Sequence, residues 1–104
     1  MKIITTLILA AYLSVPLWAA YKNLQVLPKN ISSDELKSTM KSISTALGVQ
    51  CSFCHNMTAM DADTDKKKKA VNMLRMTNDI NTKYLTGTAK VMCITCHRGR
   101  PVPE

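Results

Sequence analysis

Two copies of the pattern Cys-x-x-Cys-His constrain this chain more than any other feature. The copies are Cys51-Ser-Phe-Cys54-His55 and Cys93-Ile-Thr-Cys96-His97. In a helical turn, two positions three residues apart lie on one side of the backbone. Two thiols placed in this way can add to the two vinyl groups on one edge of a porphyrin, and the histidine that follows can bind iron. The pattern is typical of covalently attached c-type haem.

Other uses of paired cysteines explain less of this pattern. A single Cys-x-x-Cys is often a redox dithiol, two pairs are often a zinc site, and disulfides suit an exported protein. The separation between these pairs exceeds the roughly 15–20 residues of ribbon-type zinc modules. None of these alternatives requires a histidine directly after each pair, yet the chain has only two histidines, both in that place. We therefore predict two covalent haem c groups, attached through Cys51, Cys54, Cys93 and Cys96, with His55 and His97 bound to iron.

The opposite face of each iron needs a second ligand, and this chain has no third histidine to provide it. Methionine pairs with histidine in electron-carrying cytochromes. Met40 lies on the apolar stripe of a predicted helix ahead of Cys51. On the next predicted helix, Met73 lies closer to the centre of the apolar face than Met76 does. We predict Met40 and Met73 as ligands, with Met76 as the main alternative to Met73. The competing interpretation is that these methionines only fill the core.

A helix is predicted ahead of each motif. Ser32 and Glu35 have the spacing of a capping box, with Ile31 as a hydrophobic staple. An apolar stripe about 60° wide follows, and Gly48 is a natural end to this helix. The stripe consists of Leu36, Met40, Ile43 and Leu47.

The second helix is predicted to begin near Thr64 or Asp65 and to run to about Leu85. Its predicted inward face consists of Ala70, Met73, Leu74, Thr77, Ile80 and Tyr84. No segment has the alternation expected of a strand. The sequence therefore predicts a small all-α domain built from two repeats, each made of a helix, a loop and a Cys-x-x-Cys-His motif.

Residues 1–20 have the pattern of a signal peptide. Lys2 is followed by an apolar run, and small residues near Ala20 provide a cleavage site. The stretch is too short and too interrupted for a comfortable membrane span, although an uncleaved anchor is the alternative. We expect cleavage, a periplasmic location and a mature domain formed by residues 21–104.

The formal net charge of +7 indicates a class of partner. An exported protein rarely meets nucleic acid, so an acidic redox protein or a membrane surface is the better expectation. The run Lys66–Lys69 is either a docking patch for such a partner or a solvated helix start. In the second interpretation, its charge is balanced by Asp61, Asp63 and Asp65.

Several ordered segments resemble the cytochrome subunit of photosynthetic reaction centres, and more closely its small two-haem relatives in non-photosynthetic bacteria. The segments are Asn23-Leu-Gln-Val-Leu-Pro28, Thr39-Met40, Met73-Leu-Arg-Met76-Thr77, Ile80-Asn81 and Cys96-His-Arg-Gly99 with Pro101-Val-Pro103. The resemblance implies that each haem is held by a helix with an axial methionine, a loop and a helix that begins with the motif. By position, Met40 then serves the first haem and Met73 the second.

The resemblance also has limits. The photosynthetic subunit usually has four haems, whereas this chain covers a two-haem half and has a shorter loop before Cys93. A photosynthetic role is therefore not implied. We expect an electron carrier that is not an enzyme. The alternatives are a haem subunit of a larger membrane redox complex and a dihaem peroxidase, which needs an open iron position.

The leader generates the first testable prediction. Intact mass spectrometry of the protein purified from detergent-solubilised whole cells should give a polypeptide that starts near Tyr21, because a signal peptidase removes such segments. A mass that retains residues 1–20 would instead identify an uncleaved anchor.

Overall fold

The computed structural model describes residues 21–104, so the predicted signal peptide lies outside the described residues. This part of the chain is helical and contains no β-strand, only an isolated bridge between Asn56 and Ala59. The elements are α1 (Ser33–Leu47), α2 (Cys51–Cys54), α3 (Asp65–Asp79), a π-helical turn (Ile80–Tyr84) and α4 (Cys93–His97). The predicted all-α class is confirmed for residues 21–104. None of the helices in this range is long and apolar enough to cross a membrane.

Helix α1 begins and ends where the sequence predicts. The Ser32 hydroxyl accepts a hydrogen bond from the Glu35 amide at 3.2 Å, and the Glu35 carboxylate accepts one from the Ser32 amide at 3.0 Å. These two bonds form the expected capping box. The hydrogen bonds from Ser32 also lower the pKa of Glu35. At the other end, Gly48 adopts the left-handed conformation with φ of +64°.

Helix α3 begins at Asp65, with Thr64 as its N-cap, and it changes its winding after Asp79. The amide of Leu85 donates to the carbonyl of Ile80 at 3.1 Å, which is the i to i−5 bond of a π-helical turn. The predicted inward face assumes a rotation of 100° per residue around the helix axis, and this rotation does not hold beyond Ile80. As a result, the prediction that Tyr84 lies on the inward face is wrong, and its side chain is 77% exposed.

The two repeats pack crosswise. Helix α1 of the first repeat packs against α4 of the second, and α3 of the second repeat packs against α2 of the first. At the first of these contacts, the Gly99 amide donates to the Ala46 carbonyl at 2.8 Å. A Cβ atom at Gly48 would lie 2.2 Å from the Gly99 carbonyl oxygen. The close approach of α1 and α4 therefore requires glycine at position 48.

This contact generates a prediction for three glycine substitutions. Gly48→Ala should lower the free energy of unfolding by about 2–5 kcal/mol, because it combines a left-handed φ with a backbone clash. Gly99→Ala should cost about 1–2 kcal/mol, since its φ is +87° but its Cβ meets open space. Gly87→Ala is the matched control, because no atom lies within 4 Å of its Cβ position. Urea denaturation followed by circular dichroism measures all three, and equal stability of the Gly48 and Gly87 variants would contradict the proposed contact.

Candidate functional site

The first motif lines a largely apolar cavity together with Met40. Cys51, Cys54 and His55 contribute from α2 and the residue after it, and Met40 contributes from α1. The remaining apolar wall is drawn from four parts of the chain and includes Val26, Leu27, Ile43, Val49, Ala70 and Leu74. The cavity thus brings together four of the side chains that the sequence analysis selected for the first haem.

Residues 21–30, which we call the lead-in segment, precede α1 and form one wall of this first cavity. The Asn23 amide nitrogen donates to the Asp61 carbonyl and to the Asp63 carboxylate, each at 2.8 Å. Asn23 has φ of +63°, a conformation that asparagine tolerates better than most residues. These bonds attach the lead-in to the acidic loop ahead of α3. Sequence reasoning gave this segment no role in the site.

The second motif lines a second cavity, and here both candidate methionines are present. Cys93, Cys96 and His97 contribute from α4, and Met73 and Met76 contribute from α3. The two methionines are 44% and 46% exposed, so burial does not distinguish between them. Most of the remaining lining is apolar and includes Ile43, Leu47, Phe53, Leu74, Val102 and Pro103. Met73 and Met76 therefore both remain candidates for the second iron.

Both histidine rings are oriented by the same kind of hydrogen bond. Nδ1 of His55 lies 2.9 Å from the Met60 carbonyl oxygen, and Nδ1 of His97 lies 2.9 Å from that of Arg100. A carbonyl oxygen only accepts hydrogen bonds, so Nδ1 must carry the proton in each ring. The lone pair is then on Nε2, which is the tautomer that metal-binding histidines adopt. The sequence did not indicate either carbonyl partner.

The four cysteines are not paired with one another. Among residues 21–104, none of them is joined to another in a disulfide. Within the same range, no three side chains from His, Cys, Asp and Glu lie close enough together to hold a metal ion. Burial raises the pKa of the Cys54 thiol, and the nearby Lys66 ammonium opposes that shift.

Thr64 connects the first motif to α3. Its hydroxyl donates to the Cys54 carbonyl and accepts from the Lys67 amide at 3.1 Å, so one side chain both caps α3 and holds the end of α2. The Lys67 ammonium in turn donates to the Asp61 carbonyl at 2.8 Å. Because its side chain is only 14% exposed, Lys67 is part of the fold and not of a lysine docking patch.

Asn81 has the corresponding role ahead of the second motif. Its side-chain oxygen accepts from the Val91 amide at 2.8 Å, and its nitrogen donates to the Val91 carbonyl at 2.9 Å. Two residues later the chain enters α4 at Cys93, where the Thr95 hydroxyl accepts from the Met92 amide at 2.9 Å. The π-helical turn places Asn81 for this contact. Helical periodicity alone could not have selected Asn81 for this role.

Comparison with known proteins assigns the family. Residues 14–104 match a sequence model described as the photosynthetic reaction centre cytochrome C subunit. The chain belongs to this family. It is similar to cytochrome c-554 of Chloroflexus aurantiacus, with 36% identity over 86 residues that cover 76% of this chain and 20% of the relative.

Two relatives named photosynthetic reaction center cytochrome c subunit also match. The protein of Thermochromatium tepidum is 34% identical over 90 residues, which cover 81% of this chain and 22% of the relative. That of Rubrivivax gelatinosus is 39% identical over 56 residues, which cover 52% of this chain and 15% of the relative. The chain thus spans about a fifth of the length of the curated relatives that it matches. The resemblance noted from the sequence is confirmed at the level of the family.

The dual role of Thr64 generates a prediction. Thr64→Val keeps the shape of the side chain but removes both hydrogen bonds, so the free energy of unfolding should fall by about 1–2 kcal/mol. Thr64→Ser keeps the hydroxyl and is the matched control, with an expected loss well below that of the valine variant. Urea denaturation measures both, and a valine variant as stable as the serine variant would show that the hydroxyl does not support the fold.

Proposed function

We propose that residues 21–104 form a periplasmic two-haem c-type cytochrome that transfers electrons and turns over no substrate. One observation supports this proposal most directly. Each Cys-x-x-Cys-His motif shares a cavity with a methionine of the long helix that precedes it in the chain. Two thiols, an imidazole with a free Nε2 and a thioether are the donors that a covalent His/Met-ligated haem requires.

The residues of each cavity have distinct roles in this proposal. Cys51 and Cys54 would attach the first haem, and His55 and Met40 would bind its iron. The second haem uses Cys93, Cys96, His97 and Met73, with Met76 as the alternative to Met73. When bound, haem supplies a one-electron couple between ferric and ferrous iron.

The protein would adjust that couple through its own side chains. Each histidine donates from Nδ1 to a backbone carbonyl, which fixes the ring orientation and makes Nε2 a better donor. The thioether ligand favours ferrous iron, and the apolar linings limit access of water. Together, these features suit reversible electron transfer better than binding and activation of a substrate.

Two alternatives differ in assembly and chemistry. The reaction centre relatives favour a haem subunit of a larger membrane redox complex. A soluble carrier should elute as a small protein from size exclusion, whereas a subunit should elute with its complex.

A dihaem peroxidase is disfavoured, because the chain has no histidine beyond the two motifs to act in acid–base chemistry. The net charge of +7, or +6 once Lys2 leaves with the leader, supports an acidic redox partner for the carrier.

The number of haems tests the central proposal. The intact mass should equal the polypeptide plus two haem groups, and no thiol should react with an alkylating reagent under denaturing conditions. Variants that replace both cysteines of one motif with alanine should each lose one haem. A wild-type mass with a single haem, or free thiols in either motif, would contradict the proposal.

Axial ligation provides the second test. Histidine favours ferric iron more than thioether does, so Met40→His should lower one of the two midpoint potentials and Met73→His the other. Each variant should also weaken the near-infrared charge-transfer band of ferric iron bound to methionine. Spectroelectrochemical titration and absorption spectra measure these changes.

Met76→His is the control for the second helix. If it lowers the potential while Met73→His has no effect, Met76 is the ligand. If neither substitution has an effect, that iron has no methionine ligand from α3, and the peroxidase alternative is favoured.

A further inference from the structure

Two lysines line the second cavity. Lys66 and Lys69 lie in the first turns of α3, and no aspartate or glutamate lines the same cavity. Among the ion pairs of residues 21–104, neither lysine has a carboxylate partner within 4.0 Å. The cavity of the second motif is therefore bordered by two positive charges that no carboxylate of the described chain compensates.

The first cavity differs in this respect. Its one lining lysine, Lys67, donates to the carbonyls of Asp61 and Ala62 at 2.8 and 3.3 Å, and its nitrogen lies 3.9 Å from the Asp63 carboxylate. The charge of Lys67 is thus compensated within the loop ahead of α3. The two cavities have similar donor atoms but different electrostatic surroundings.

Lys66 lies over an aromatic ring. Its ammonium lies 4.8 Å from the centroid of Phe53, a distance typical of a cation–π contact. Phe53 is a residue of the first motif, yet its side chain lines the second cavity. Lys66 lies in the N-terminal turn of α3, where the helix dipole disfavours cations, so the stability of α3 does not explain its placement. An anionic group at the cavity would explain it.

We propose that Lys66 and Lys69 are binding residues of the second haem, where they act as cationic partners of its carboxylates and raise the potential of that haem more than that of the first. The inference rests on the proposed function. Reduction removes one positive charge from the iron, so a neighbouring cation favours the ferrous state. The effect is weaker at the first haem, because Lys69 lines only the second cavity and the lysine that lines the first cavity is already compensated. Lys66 lies near Cys54 of the first motif as well, so its charge acts on both haems to different extents.

The test compares three substitutions with the same change in charge. Lys66→Gln and Lys69→Gln each remove a lysine that lines the cavity, whereas Lys68→Gln removes a neighbouring lysine that lines neither cavity. Mass spectrometry first establishes that each holoprotein contains two haems. Spectroelectrochemical titration at low and high salt then gives both midpoint potentials.

The double variant Lys66→Gln/Lys69→Gln should lower one midpoint more than the other, and the more affected midpoint should differ from the one lowered by Met40→His. Each single variant should give part of the shift and Lys68→Gln almost none. The shift should be smaller at high salt, because both lysines are exposed and salt screens exposed charges. An equal shift from Lys68→Gln, or equal shifts of both midpoints, would overturn the inference. Wild-type protein with fewer than two haems would overturn the proposed function itself.

Discussion

The apolar sides of α1 and α3 face cavities more than they face each other, and the rest of the architecture depends on this constraint. Within residues 21–104, only Ile31 and Ala46 are buried hydrophobic residues, at 8% and 4% exposure. A domain of this size can bury little apolar surface and commonly depends on a metal or a covalent staple. Under the proposed function, the covalently attached haems are the missing core. Folding and cofactor attachment would then be one process, as they are when metal binding organises a small domain.

Backbone carbonyls and two polar side chains hold the candidate ligands in place. Thr64 holds the end of α2, and Asn81 holds the segment before α4 through both atoms of its amide group. The carbonyls of Met60 and Arg100 orient the two histidine rings. Each of these hydrogen bonds is made by a segment close to the motif that it holds. The two sites are therefore held in place in similar ways. They differ mainly in the charges that surround them.

The sequence predicted local structure better than it predicted contacts between segments. Ser32 and Gly48 mark the ends of α1 as expected, because capping depends on neighbouring residues alone. The prediction that Tyr84 lies on the inward face of the second helix is wrong, since no local signal in the sequence indicates the π-helical turn. The two Cys-x-x-Cys-His motifs identified the cysteines and histidines that line the cavities, because covalent haem attachment depends on the spacing of these residues. The contact between Gly48 and Gly99 depends on residues far apart in the chain, which periodicity cannot detect.

The crosswise packing has a consequence for how such chains change over evolution. Each long helix packs against the short motif helix of the other repeat, so neither repeat is a self-contained module. A chain divided between the repeats, in the loop between α2 and α3, would separate α1 from α4, and with it the close contact at Gly48. The smallest piece that a gene duplication or deletion could add or remove without breaking these contacts is the whole pair of repeats. Under the proposed function, haem sites in this architecture would be gained and lost in pairs.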